Sequence, residues 1–217
     1  MTFESSKTLG GIGSVLLLVG GLAFLVQPII TLFLGFIGAL LLLFGLKGLA
    51  DYYKGKGIFT NGLYGFVTLI VGAVVSLASF VYLFFYSSIV TNLVVVLYPG
   101  FTGDWSTLPN LTVNPNPNAA DIVPYIGPIL AIFVVIWIFV FVAAFFTWRS
   151  LKGVTSKSNV GLFSTAGLLM LVGAIIPVLG LILMVIGVLL MAIAFFQLKP
   201  QPQQPTEALE PSFSTQV

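Results

Sequence analysis

The sequence contains no cysteine and no histidine among its 217 residues, and only 6% of its residues are charged. Without those two side chains the chain can form no disulfide, no thiolate nucleophile, no imidazole base and no Cys/His zinc site. Eight Lys and Arg, six Asp and Glu, and the hydroxyl groups remain for chemistry. The sequence therefore predicts no catalytic residue, no metal site and no cofactor.

Apolar residues dominate instead. They make up 59% of the chain, and the mean hydropathy is +1.15, whereas a soluble domain carries about 25% charged residues. The composition predicts an all-α, polytopic integral membrane protein whose first partner is the lipid bilayer. Other membrane subunits or a second copy of the chain are further partners to consider. The formal net charge of +2 is too small to indicate a nucleic-acid partner.

Long apolar runs give the number of membrane spans. A hydrocarbon core of roughly 30 Å needs about 20 residues of helix. The last run, 161–198, is too long for one helix, and Pro177 near its middle favours a reversal. The alternative is one kinked helix there, which would leave five spans. We expect a membrane domain over 1–198 with six helices, at 9–26, 29–46, 62–85, 124–148, 162–177 and 179–198.

Three other segments have a different composition. Residues 99–123 are rich in Pro, Asn and Gly, which predicts an irregular loop outside the cytoplasm. Residues 200–217 lack an apolar periodicity and are expected to form a disordered cytoplasmic tail. Residues 87–98 fit two placements, an extension of the third helix or a segment at the membrane interface.

Basic residues fix the expected orientation. With six spans and a cytoplasmic N-terminus, every Lys and Arg falls on the cytoplasmic side, and Asp104 and Asp121 fall outside. Such an asymmetry determines the orientation of membrane proteins. Both termini are therefore predicted to be cytoplasmic in a multi-pass protein of the cell membrane. The eight basic residues are Lys7, Lys47, Lys54, Lys56, Arg149, Lys152, Lys157 and Lys199.

The stretch "LKGLADYYKGKGIFTNGLYG", residues 46–65, alternates Lys and Gly at 54–57, as a phosphate-binding loop could. A P-loop requires Gly-x4-Gly-Lys-Ser/Thr between a strand and a helix, and that pattern is absent from the sequence. The charge asymmetry instead indicates a cytoplasmic loop in contact with an anionic membrane surface.

The apolar runs also resemble one another. The stretches that begin at Thr8 and Thr60 align without a gap, so that Gly20 matches Gly72, and Gly173 takes the same place in a third stretch. Three inward-running helices end in Leu-Lys. This pattern predicts three related hairpins, with the three glycines at helix–helix contacts. The repeated ends are Leu46-Lys47, Leu151-Lys152 and Leu198-Lys199, and the two long cytoplasmic segments return through "GIFTNG" (57–62) and "GLFSTA" (161–166).

The motifs "SKTLGGIGSVLLLVGG", "GLKGLADYYKGKGIFTNGLYGF" and "NVGLFSTAGLL" resemble a family of archaeal multi-pass membrane proteins, the domain of unknown function 996. The resemblance covers about the first 85 residues and the region of helices four to six. It implies an archaeal cell membrane as the location, and it brings no established catalytic residues.

The composition of the membrane spans limits the functions that the sequence can indicate. The spans carry no ionisable residue in their central parts, whereas ion and proton pathways usually do. The leading hypothesis is a non-enzymatic structural or accessory membrane component. The alternative is a small channel or carrier for a neutral or apolar solute, and a lipid-modifying enzyme is a third class. Asn110-Leu111-Thr112 matches an N-glycosylation acceptor sequence, which the topology places outside.

Overall fold

The computed structural model describes residues 1–23, 27–86, 88–176 and 179–200. Regular structure in these residues is helical throughout, with a π-helical turn at Tyr82–Tyr86 and a 3-10 helix at Trp105–Asn110. The α-helices are α1 (Phe3–Ala23), α2 (Pro28–Tyr52), α3 (Lys56–Val81), α4 (Ile89–Leu97), α5 (Ala119–Ser158), α6 (Leu162–Ile175) and α7 (Leu179–Gln197).

The six longer helices pack as three pairs. The most extensive contacts join α1 to α2, α3 to α5, and α6 to α7. We call these pairs the first, second and third hairpins. Smaller contacts join α2 to α3, α5 to α6, and α7 back to α1. The hairpins therefore form a ring in chain order, and α4 packs outside it against α5.

One end of the ring, here called the closed end, holds the α2–α3 turn, the α5–α6 turn and Leu198. Its buried cluster includes Leu46, Leu151 and Leu198, which are 3%, 0% and 1% exposed. The lysine that follows each of these leucines is exposed. The three Leu-Lys ends thus place their apolar side chains in one shared core and their charges at its rim.

Glycine allows the helices of the first hairpin to approach closely. A Cβ built on Gly45 of α2 would lie 2.6 Å from the Cα of Gly10 in α1, and one on Gly38 would lie 2.8 Å from the carbonyl oxygen of Gly13. No side chain fits in either gap. In lipid, helix association depends on such backbone packing, because there is little hydrophobic gain from bringing apolar helices together.

Large apolar side chains cover the outside of the ring. Leu32, Val74 and Leu77 are 74%, 63% and 66% exposed, and soluble proteins rarely expose so much apolar surface. Among the described residues, five helices are long and apolar enough to cross a bilayer. The chain is therefore an all-helical membrane protein. At 14 residues, α6 is shorter than these five.

Helix bounds differ from the sequence expectation at the closed end. α2 continues to Tyr52, α3 begins at Lys56, and α5 continues to Ser158. Residues 47–61 and 149–160, which lie between the membrane helices expected from the sequence, are consequently helical except for short turns. Their charged residues lie on exposed faces, while Leu151 and Val154 on the opposite face of α5 are fully buried.

Two further differences lie at the far end. α5 begins at Ala119 rather than 124, because the Asn118 side chain caps it by accepting a hydrogen bond from Ala120 N. Pro124 and Pro128 are therefore inside the helix. Residues 87–98 contain the separate helix α4 (Ile89–Leu97). The predicted turn at Pro177 and the tail beyond residue 200 lie outside the described residues.

Candidate functional site

An apolar cavity with a volume of about 310 Å³ lies between the second and third hairpins. α3 and α5 form most of its wall, and Met170 of α6 and Met184 of α7 complete it. The residues from α3 and α5 are Leu69, Gly72, Ala73, Ser76, Ile136, Phe139, Val140, Ala143, Ala144 and Thr147.

Small residues on α3 and α5 create this space. Gly72 brings α3 so close to α5 that an added Cβ would lie 2.8 Å from the Cβ of Phe139. Beside this contact, Ala73, Ala143 and Ala144 line the wall with single methyl groups. The cavity is thus a consequence of packing one bulky ring against glycine while the neighbouring positions stay small.

The two hydroxyl groups in the wall are already used. Ser76 Oγ donates to the carbonyl oxygen of Gly72 at 2.7 Å, and Thr147 Oγ1 donates to that of Ala143 at 2.8 Å. Both bonds stay within their own helix, as is common for hydroxyls in membrane helices. The cavity therefore offers little to hold water or a polar solute, and an apolar group fits it best.

A second cavity of about 160 Å³ adjoins the first, and Ile136, Val140 and Met184 line both. It lies between α5 and the end of α6, where Trp137 Nε1 donates a hydrogen bond to the carbonyl oxygen of Ala174. That carbonyl is in the last turn of α6 and has no partner within the helix. Trp137 therefore satisfies a helix end and lines the cavity.

A charged pocket of about 430 Å³ lies at the α2–α3 turn and is lined by Asp51, Lys54, Lys56 and Thr60, together with two apolar residues. Lys54 has a left-handed backbone, with φ of 51°. The pocket lies at the start of α3, which would favour anionic groups. This is the Lys-Gly segment of the sequence, now placed at the rim of the closed end.

The glycines singled out in the sequence are each buried within a hairpin. A Cβ on Gly20 would lie 3.2 Å from that of Leu34, and one on Gly72 would approach Phe139. The separation of Leu34 and Phe139 along the chain equals that of Leu46 and Leu151. Leu34 and Phe139 therefore hold equivalent positions in the first and second hairpins. Gly173 lies against Gly180 and Met184 of α7. That these contacts are required for stability stays a prediction.

Other candidate residues lie apart from the cavities. Asn110 is the exposed last residue of the 3-10 helix, so the acceptor sequence is accessible, and its modification stays a prediction. Asp104 caps the same helix: its carboxylate accepts hydrogen bonds from the hydroxyl and backbone N–H of Ser106, which lower its pKa. No group of three or more His, Cys, Asp or Glu converges in the described segments.

Two polar contacts were missed in the sequence, the Trp137 bond to α6 and a buried bond from Ser150 of α5 to Ile58 of α3. The Trp137 bond could not be predicted, because a lone tryptophan in an apolar helix has no fixed partner in the sequence. Asn118 followed by Ala-Ala-Asp is a recognisable helix start, and it would have placed the beginning of α5 correctly.

Residues 34–195 match the family described as "Protein of unknown function (DUF996)". The match begins within α2 and ends near the end of α7, and it includes both cavities. No curated protein and no solved structure matches the chain. Because the matched region is most of the chain, the protein belongs to this family of proteins of unknown function.

Proposed function

We propose that this protein is a non-enzymatic structural or accessory component of the cell membrane, with its six longer helices in the bilayer and both termini in the cytoplasm. The observation that carries the proposal is the closed end. There the side chains of all three hairpins meet in one cluster that includes Leu49, Leu151, Phe163 and Phe195, each fully buried. A ring sealed in this way is suited to holding helices in place.

The orientation is supported by charge. Lys47, Lys54, Lys152 and Lys199 all lie on or beside the closed end and are exposed, whereas Asp104 and Asp121 belong to the far end. Lysine and arginine are retained on the cytoplasmic side of membranes, so the closed end is the cytoplasmic one in this proposal.

Single cysteines test the orientation on this cysteine-free chain. Gly57→Cys and Ser156→Cys lie at the closed end and Asn116→Cys at the far end, and all three positions are exposed. In intact cells an impermeant thiol reagent is expected to label only Asn116→Cys. Labelling of Gly57→Cys or Ser156→Cys before lysis would reverse the proposed orientation.

A carrier or channel for a neutral or apolar solute is the second candidate, favoured by the apolar cavity between the hairpins. Purified protein in sealed liposomes separates the two functions. The structural proposal predicts glycerol and short-chain alcohol fluxes equal to those of protein-free liposomes, together with a partner crosslinked at fixed stoichiometry in native membranes. A saturable flux without such a partner would favour the carrier.

A further inference from the structure

The third hairpin contains one helix that is too short to cross the bilayer. Its first helix, α6, has 14 residues, and a helix of that length rises about 21 Å, against a hydrocarbon core of roughly 30 Å. α1 and α3 have 21 and 26 residues. α6 therefore ends nearer the closed end than α1 and α3 do.

Trp137 indicates the level at which α6 ends. It lies near the middle of the apolar part of α5, between Asp121 and Arg149, and its indole N–H reaches the carbonyl oxygen of Ala174 in the last turn of α6. An unpaired carbonyl is costly in hydrocarbon. This bond satisfies the helix end and the indole together, at a level where no water is expected to replace either partner.

The two apolar cavities follow from this geometry. The smaller cavity lies at the end of α6, where its wall includes Phe133, Gly173 and Leu181. It adjoins the larger cavity along Ile136 and Val140. Leu181 is 64% exposed and Phe133 is 51% exposed. At mid-membrane depth, the medium outside these side chains is lipid hydrocarbon.

We propose that the paired cavities form a binding site for one hydrocarbon chain of a membrane lipid, which enters beside the end of α6. The larger volume of about 310 Å³ is at the small end of ligand sites and suits a chain rather than a headgroup. The wall hydroxyls are bonded within their own helices. An empty space of this size would also forfeit dispersion contacts, so a flexible chain is the matching occupant.

Val140 is the residue with which to test the site, because it lines both cavities. Val140→Phe adds a ring to the shared wall. Val135→Phe is the matched control on the same helix, since Val135 is 43% exposed, close to the 40% of Val140, and lines neither cavity. Ser76→Leu, on the α3 wall, is a second filling variant should Val140→Phe fail to fold.

The binding measurement uses Trp137 as its own reporter. Trp105 and Trp148 are replaced by Phe, so that Trp137 is the single tryptophan of the folded, detergent-purified chain. Phospholipid with brominated acyl chains is then titrated in, with free brominated fatty acid in a parallel arm. We expect quenching by the phospholipid to saturate near one lipid per protein, and Val140→Phe or Ser76→Leu to weaken it about tenfold, while Val135→Phe leaves it unchanged.

Three results would overturn the proposal. One is quenching that rises in proportion to bulk brominated lipid and equally in all variants, which would mean contact with bulk lipid only. Another is rapid labelling of Ile176→Cys by an impermeant thiol reagent, which would place the end of α6 in water. Stronger quenching by the free fatty acid than by the phospholipid would overturn the membrane-lipid source. None of these readings depends on the proposed structural function.

Discussion

Ser150 Oγ donates a hydrogen bond of 2.7 Å to the carbonyl oxygen of Ile58, and it links α5 to the first turn of α3 inside the closed end. Ser150 is fully buried and Ile58 is 2% exposed. The serine hydroxyl also faces Gly62, where an added Cβ would lie 3.2 Å from it. This small polar contact therefore fixes how the two helices of the second hairpin meet.

Replacing that serine should loosen the closed end. We expect Ser150→Ala to lower the free energy of unfolding in detergent by about 1 kcal/mol, the usual net value of one hydrogen bond. Thermal unfolding measures the loss. Ser156→Ala is the matched control, because Ser156 is exposed and bonds only within its own helix. Equal effects of the two substitutions would contradict a specific role for the Ser150 bond.

Tyr53 presents the opposite case. In the described chain its hydroxyl is buried and has no hydrogen-bond partner, and such a group opposes folding. We expect Tyr53→Phe to raise the melting temperature at neutral pH. Tyr64→Phe, at a 52% exposed ring, should change it little. A loss of stability in Tyr53→Phe would reveal a partner for the hydroxyl.

The same tyrosine predicts a pH dependence. Burial, and then the charge of the neighbouring Tyr52, raise the pKa of Tyr53 above 10.0. A raised pKa in the folded state means stability that is complete below about pH 10, the usual tyrosine value, and lost as the pH rises through the folded value. Above pH 10 the wild type should therefore lose more stability than Tyr53→Phe does. Parallel pH profiles for the two proteins would contradict this cause.

Lys54 and Asn159 occupy matching places in the two turns of the closed end. Both have left-handed backbones, with φ of 51° and 58°. Their separation along the chain equals that of Leu46 and Leu151, so they hold equivalent positions in the repeat. Asparagine tolerates this conformation better than lysine does. Lys54→Gly should therefore stabilise the protein by up to about 1 kcal/mol, and Asn159→Gly by less. The reverse order, read from thermal unfolding, would argue against backbone strain at Lys54.

The repeat was visible in the sequence because its positions are set by local chemistry. A Leu-Lys pair marks the point where a helix passes from a buried core to an exposed rim, and Leu46, Leu151 and Leu198 all do so. Glycines at contacts recur for the same reason. The all-helical membrane class and the pairing of neighbouring helices were therefore predictable, whereas the exact number of spans depends on depth in the bilayer.

In the third hairpin, two alignments of the sequence repeat disagree with each other. "GIFTNG" and "GLFSTA" align the turns, and the Val-Gly-Ala stretches align the helices, but the two alignments of α6 differ by three residues. That is about one turn of helix. α6 is correspondingly short, and Gly173 meets Gly180 and Met184 rather than the position that the other hairpins would indicate.

The cavity could not be predicted from the sequence. It depends on how far Gly72 lets α3 approach Phe139 and on the place where Met170 and Met184 close the space. These are distances between helices, and apolar periodicity gives only the face that each helix presents. The Trp137 bond depends likewise on the end of α6, which an uninterrupted apolar run does not mark.

The three hairpin glycines allow a graded test of packing. A Cβ would lie 2.6 Å from the Gly180 carbonyl oxygen at Gly173, 2.8 Å from the Phe139 Cβ at Gly72, and 3.1 Å from the Gly35 nitrogen at Gly20. Gly21 is the control, because nothing lies within 4 Å of its added Cβ. Alanine elsewhere in a helix gains about 1 kcal/mol over glycine.

Gly173→Ala should therefore be the most destabilising of the four, since backbone atoms cannot move aside without separating α6 from α7. Gly72→Ala should follow, because the ring of Phe139 can turn but its Cβ cannot. Gly20→Ala should be nearly neutral, and Gly21→Ala should stabilise through helix propensity alone. Thermal unfolding in detergent ranks the variants, and a common sign for all four would show that these glycines are not packing positions. If instead Gly173→Ala alone is harmful, close packing is confined to the third hairpin and the repeated glycines are not equivalent.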